Sequence, residues 1–219
     1  MAKAIAGVLS PLVGKTGPVI TRNWRGKQIQ QAYNPFDIGK DTPKRILQRK
    51  KFGVLARTGG QLMPIVRKGY NYKALKQSTT EMGLFIRENN DTVTGATPET
   101  LVVDISQLVV SKGCVVPVIN EAMLYDSTLK MLDVRFNPND AIPMAWNTDE
   151  VYCGLYCPDE KISTLSNSAY RYDRITVIAV PEMMYGHEVH VWCFVIGALD
   201  NTCYANQASI SHYLGSFTA

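Results

Sequence analysis

The rhythm of apolar and polar positions changes twice along the chain. Up to residue 38, short apolar stretches are interrupted by Gly7, Pro11, Gly14, Gly17 and Pro18. Val19-Ile20-Thr21-Arg22 and Lys27-Gln28-Ile29-Gln30-Gln31 flank Asn23-Trp24-Arg25-Gly26. β-Branched residues on both sides of a glycine-containing turn predict a hairpin. A short hairpin has too little apolar area to stand alone in water, so residues 1–40 read as an extended arm that must lie on something. Ile5, Val8, Leu9, Leu12, Val13, Val19, Ile20, Trp24 and Ile29 are too many apolar groups for a solvated tail. Trp24, with Arg25 beside it, is the expected docking point, because a buried tryptophan carries a large apolar area and tends to dominate an interface.

Thr42-Pro43 marks a helix start: a threonine at the N-cap accepts an orphan backbone N–H, and proline suits the first helical position. Ile46, Leu47, Phe52, Leu55 and Leu62 follow at roughly helical spacing, with Lys44, Arg45, Arg49, Lys50 and Lys51 between them. Gly59-Gly60 and Pro64 are expected to end or bend this helix. A second helix is expected over 72–88, with Leu75, Thr79, Met82 and Ile86 in one stripe, closed by Asn89-Asn90-Asp91 and Gly95.

From residue 100 the texture turns to strands. The runs 101–105 and 108–110 are rich in Val, Leu and Ile, and further strands fit 128–136, 150–157, 174–180, 188–196 and 202–213. About seven short strands with no helical pattern between them predict an antiparallel sandwich. Residues from about 100 onward look self-contained and are expected to fold alone. The organisation expected is an arm with a hairpin over 1–40, a basic helical segment over 41–95 and the sandwich over 96–219.

Charge sharpens this division. The 219 residues carry a net charge of only +4. Residues 1–90 hold 17 Lys+Arg against 4 Asp+Glu, a net of +13, and residues 91–219 hold 6 against 15, a net of −9. Five basic residues stand within 44–51 alone. Such a half can meet nucleic acid or an acidic protein surface, and one acidic surface is the other half of a neighbouring copy. A hydrophobic fraction of 46% excludes wholesale disorder. No run approaches the ~18 apolar residues of a membrane span, and the one signal-like stretch, 4–13, is broken by Gly7 and Pro11. The chain reads as made and kept in a cytoplasm, with which an odd number of cysteines agrees.

Motifs for chemistry fall short one by one. Gly14-Lys15-Thr16 has the tail of a phosphate-binding loop, but Leu9 occupies the place of its first glycine. His187 and His190 are three apart on an expected strand, which points them to opposite faces, unlike the helical four-residue spacing of zinc proteases. Cys153 and Cys157, four apart on a strand, lie roughly 13 Å apart and cannot bridge each other; with Cys193 they read as reduced core residues. No catalytic elbow, kinase motif, carboxylate-rich metal motif or cofactor motif is present, so no enzyme and no cofactor are expected. Trp146, Tyr170 and Tyr172, if exposed, are candidate stacking platforms for a ligand or glycan.

Gly14-Lys15-Thr16-Gly17-Pro18-Val19 followed by Asn23-Trp24-Arg25-Gly26 resembles the opening of a family of Bacteroidota proteins with no assigned activity. Gln48-Arg49-Lys50-Lys51-Phe52, Val103-Asp104-Ile105, Val109-Val110-Ser111-Lys112-Gly113 and Ser209-Ile210-Ser211-His212-Tyr213-Leu214-Gly215 look like its later blocks. The resemblance implies an α+β chain whose arm, hairpin and two basic helices precede an immunoglobulin-like β-sandwich. Members occur in chromosomal and phage-like contexts, which implies a virion or assembly protein. The leading expectation is a self-assembling structural protein, its partners copies of itself or other particle proteins, docked through Trp24, Arg25, Arg45, Arg49, Lys50 and Lys51. The alternatives are a nucleic-acid-binding protein using the basic helix 43–57, and a ligand- or glycan-binding sandwich.

Overall fold

A computed structural model describes residues 2–4, 13–24, 27–32, 41–139, 141–142, 145–199 and 204–219. The chain divides into two compact units, Met1–Pro43 and Lys44–Ala219.

In the first unit, β1 (Ala2–Ala4), β2 (Gly14–Thr16), β3 (Val19–Trp24) and β4 (Lys27–Ala32) form one antiparallel sheet in the order β1-β4-β3-β2. Gly17, at φ 59°, supplies the left-handed turn between β2 and β3 that other residues adopt at a cost. The hairpin expected around Trp24 is present, with Trp24 opposite Lys27. It belongs to a four-stranded sheet, where the pattern of turn formers had suggested an extended arm. Arg25 and Gly26, and the apolar run from Ile5 to Leu12, lie outside the described residues.

The second unit opens with α1 (Pro43–Gln61), α2 (Met63–Lys76) and α3 (Glu81–Glu88). The expected bend comes after Gln61, with Pro64 in the first turn of α2 where its missing N–H costs nothing. α1 runs on through Gly59 and Gly60. A Cβ on Gly59 would stand 2.8 Å from the Phe85 ring, so the glycine lets α3 approach closely. The single helix expected over 72–88 is instead two. Ser78 takes φ 50°, and the Thr80 hydroxyl caps α3 by accepting from Gly83 N at 3.0 Å. Ser and Thr side chains compete with the helical backbone in this way, and a run of three ends the helix.

The strands follow: β5 (Val93–Thr94), β6 (Val102–Val103), β7 (Ile119–Asp126), β8 (Met131–Asn137), β9 (Glu150–Cys157), β10 (Ile162–Leu165), β11 (Ala169–Tyr170), β12 (Ile175–Ala179), β13 (Glu188–Ile196) and β14 (His212–Thr218). One sheet is ordered β12-β8-β7, the other β10-β9-β13-β14, with β11 also on β9. This arrangement of a three-stranded and a five-stranded antiparallel sheet is an immunoglobulin-like sandwich. β9 and β13 fall where their apolar runs predict. Three expectations are corrected. The strands expected over 101–105 and 108–110 shrink to the short β5–β6 ladder, because Asn89 holds Val109: its Oδ1 accepts from Val109 N at 2.7 Å, and its Nδ2 donates to Val109 O at 2.9 Å. The strand expected from residue 128 starts at Met131, since Thr128 N and Leu129 N donate to Asp126 Oδ1 and close a turn. The last strand is shifted from 202–213 to His212–Thr218, with a turn over 204–206.

The sheet containing β9 and β13 is a middle layer. Val151, Cys153, Leu155, Val191, Cys193 and Val195 pack towards β8 and β12. Tyr152, Tyr156, Trp192 and Phe194 share a core with Leu55, Leu62, Ile65 and Val66 of the helices. A Cβ on Gly154 would lie 2.6 Å from Ile65 Cδ1, so α2 rests almost on the strand backbone. The 100–219 strand set is therefore not self-contained: its outer sheet face is apolar and the helices cover it.

Candidate interaction surfaces

Arg45, Gln48, Arg49 and Phe52 recur at helical spacing on one face of α1 and line a shallow depression of about 370 Å³. Leu55 and Gly59 are the buried residues of this helix, so its first three turns stand out from the core. Phe52 is 55% exposed among these cations. Lys50 is exposed and Lys51 half-buried, both away from the Phe52 depression.

Trp24, 40% exposed, belongs to the first unit. Residues directly opposite in an antiparallel sheet share a face. Lys15 pairs with Ile20, Ile20 with Gln31, Lys3 and Arg22 with Ile29, and Trp24 with Lys27. Lys15 and Arg22 thus occupy positions on the face of Trp24, and no acidic residue precedes Asp37. Among the described residues of this unit only Thr21, on the other face, is buried. The β-branched runs and the turn between them were readable in the sequence; the register that sets Lys15 and Arg22 on the face of Trp24 was not.

A third surface lies at one end of the sandwich. Tyr170 and Tyr172 are 47% and 56% exposed, with rings 5.5 Å apart and within 11° of parallel. With Lys68, Thr148, Glu150 and Asn206 they line an open groove of about 620 Å³. Trp146, also expected as a platform, does not line it.

The residues weighed for catalysis are dispersed. His187 Nδ1 lies 3.1 Å from Asp159 Oδ2, whereas His190 Nδ1 lies 2.8 Å from the Tyr213 hydroxyl, and burial lowers the His190 pKa. Cys153, Cys157 and Cys193 are buried, with Cys193 opposite Cys153 on the neighbouring strand. Hydrogen bonding from Cys153, then burial, raises the Cys193 thiol pKa well above its ordinary value. Among the described residues no group of three or more His, Cys, Asp or Glu is placed to hold a metal, and no helix is long and apolar enough to cross a membrane.

One cluster has no counterpart in the sequence reading. Glu88 accepts from Lys112 at 2.6 Å, Lys73 at 3.3 Å and Arg87 at 3.2 Å. Burial opposes its charge, but these cations outweigh burial and hold its pKa at about 2. The cluster ties α2, α3 and the segment after β6 together.

The profile of a family of unknown function, DUF6266, matches residues 11–215, and the chain belongs to that family. A search of curated proteins returned no match. The fn3 domain of the human collagen alpha-1(XX) chain is similar at 18% identity and a TM-score of 0.33, over 50% of this chain and 91% of that domain. That likeness is too slight to add to the strand order seen directly.

Proposed function

We propose that this DUF6266 chain is a non-enzymatic structural protein of a phage-type particle in Bacteroidota. It is made in the cytoplasm and assembles with copies of itself or with other particle proteins. The observation that carries the reading is the first unit: a sheet with one buried side chain among its described residues, and with Lys15 and Arg22 on the face of Trp24. Such a sheet gains its apolar burial from something outside itself. The strand-rich residues 91–219, at a net −9, offer the complementary charge on a neighbouring copy, and opposite charge guides docking and selects register.

Sedimentation velocity at about 50 mM and about 500 mM salt tests it, since exposed charges are screened within a Debye length. Oligomers that shrink as salt rises support the reading; a monomer at every salt and protein concentration overturns it. Reversing Arg49, Lys50 and Lys51 to Glu should slow assembly without abolishing it, as rim charges act chiefly on association rate.

A second reading is favoured by the α1 face. Phe52, beside Arg45 and Arg49 in one depression, combines an aromatic surface with phosphate-binding cations, the pairing used to hold single-stranded nucleic acid. Binding of an oligonucleotide that weakens steeply with salt and is lost in Phe52→Ala would support it.

A further inference from the structure

We infer that the groove at the end of the sandwich is a carbohydrate-binding site, with Tyr170 and Tyr172 as its stacking surface. The first ground is that the groove is built. Asp149 and Arg171, both at 0% exposure, meet at 3.1 Å beneath it. Arg171 also donates to Pro138 O and Val116 O, each at 2.7 Å, and Asp149 accepts from Trp146 N and Ala198 N, each at 3.1 Å. One buried ion pair therefore ties together the β8–β9 connection, the turn after β11 and the segment after β13. A buried pair of this kind gives little net stability over apolar residues, so its effect here is to set where these segments stand.

The second ground is what the pair presents. Residues on either side of Asp149 and Arg171 point the other way: Thr148 and Glu150 flank one, Tyr170 and Tyr172 the other, and all four line the groove. Backbone bonds from Arg171 N to Asp149 O at 2.9 Å and from Tyr172 N to Asn147 O at 3.2 Å hold the two segments side by side. Tyr170 N donates to Asp173 Oδ2 at 2.8 Å and fixes the turn that carries both rings. The tyrosines are exposed but not loose.

The third ground is chemistry. A pyranose ring offers a flat face of C–H groups and a rim of hydroxyls. The groove offers aromatic faces together with a carboxylate, an amide, an ammonium and a threonine hydroxyl. Lys68 Nζ lies 3.8 Å from Glu150 Oε2, so the charges balance and a strongly ionic ligand gains little. A purely apolar ligand would strip water from Glu150 and Lys68 without replacing its hydrogen bonds. A groove of about 620 Å³ has room for a short oligosaccharide.

A glycan array probed with the labelled full-length protein, followed by calorimetric titration of the best oligosaccharide, tests the inference. Saturable binding is expected, weakened about tenfold or more in Tyr172→Ala and little changed in Tyr172→Phe, which keeps the ring. Glu150→Gln should weaken it severalfold with the melting temperature unchanged. No saturable binding to any array glycan up to millimolar protein, binding indifferent to Tyr172→Ala, or preference for a proline-rich peptide would each overturn the assignment. Oligomer size, measured on the same samples, is independent of this result and keeps it separate from the assembly reading.

Discussion

The N-terminal sheet and the middle sheet of the sandwich are built from the same antiparallel pairing and end at opposite extremes of burial. In β3, Ile20, Arg22 and Trp24 share one face and Val19, Thr21 and Asn23 the other, so neither face of that strand is apolar throughout. β9 and β13 read as almost unbroken apolar runs, and both faces of their sheet are covered, one by helices and one by the other sheet. The difference teaches that strand pairing alone does not make a core. An apolar set on both faces makes a strand a central layer, whereas polar and charged residues on both faces leave a strand with no apolar face of its own.

The largest effect that would break this comparison comes from cutting the chain. A fragment of residues 96–219 loses the helices and bares Tyr152, Tyr156, Trp192, Phe194 and Ile196. At roughly 1.5–3 kcal/mol each, these rival the roughly 5–15 kcal/mol that holds a whole domain together. The fragment should show no cooperative melt by circular dichroism, while residues 44–219 should melt as the full chain does. A cooperative 96–219 fragment would refute the shared core. Next in size, Asp149→Ala leaves Arg171 charged and buried and should cost about 3–5 kcal/mol in urea denaturation.

Trp24→Ala addresses the other side of the comparison. It should cost about 2 kcal/mol or more per intersubunit contact, seen as smaller species in sedimentation with the main melting transition unmoved. A lowered melting temperature with unchanged stoichiometry would instead place Trp24 in the chain's own fold. The smallest effect concerns pH. Because the folded pKa of Glu88 is about 2, below its ordinary 4.5, its contribution is fully present above about pH 4.5 and fades as pH falls towards 2. Glu88→Gln should lower the urea midpoints above about pH 4.5 and flatten their fall between about pH 4.5 and 2.

Legibility followed locality. The Thr42-Pro43 start, the Trp24 hairpin and the limits of β9 and β13 could be read because each depends on neighbours in sequence. β7 escaped because its mostly exposed, mixed-polarity residues carry no strong period, and β14 because it bends at Gly215, where φ is 125° and its register on β13 shifts. Of the candidate surfaces, Tyr170 and Tyr172 were visible as aromatics in a polar stretch. The Asp149–Arg171 pair beneath them was not, since nothing in the residues between makes those two charges partners.

From the sequence alone came the Thr42-Pro43 helix start, the Trp24 hairpin, the limits of β9 and β13, the division of charge and the absence of a familiar catalytic motif. All of these rest on composition or on interactions within a few residues. The tertiary structure decided that the sandwich needs the helices as a third layer, that Glu88 gathers three cations, that register sets Lys15 and Arg22 on the face of Trp24, and that one buried ion pair shapes the groove. Each joins residues distant along the chain, and which distant faces meet depends on how all the apolar surfaces are covered at once, a condition that no local window contains.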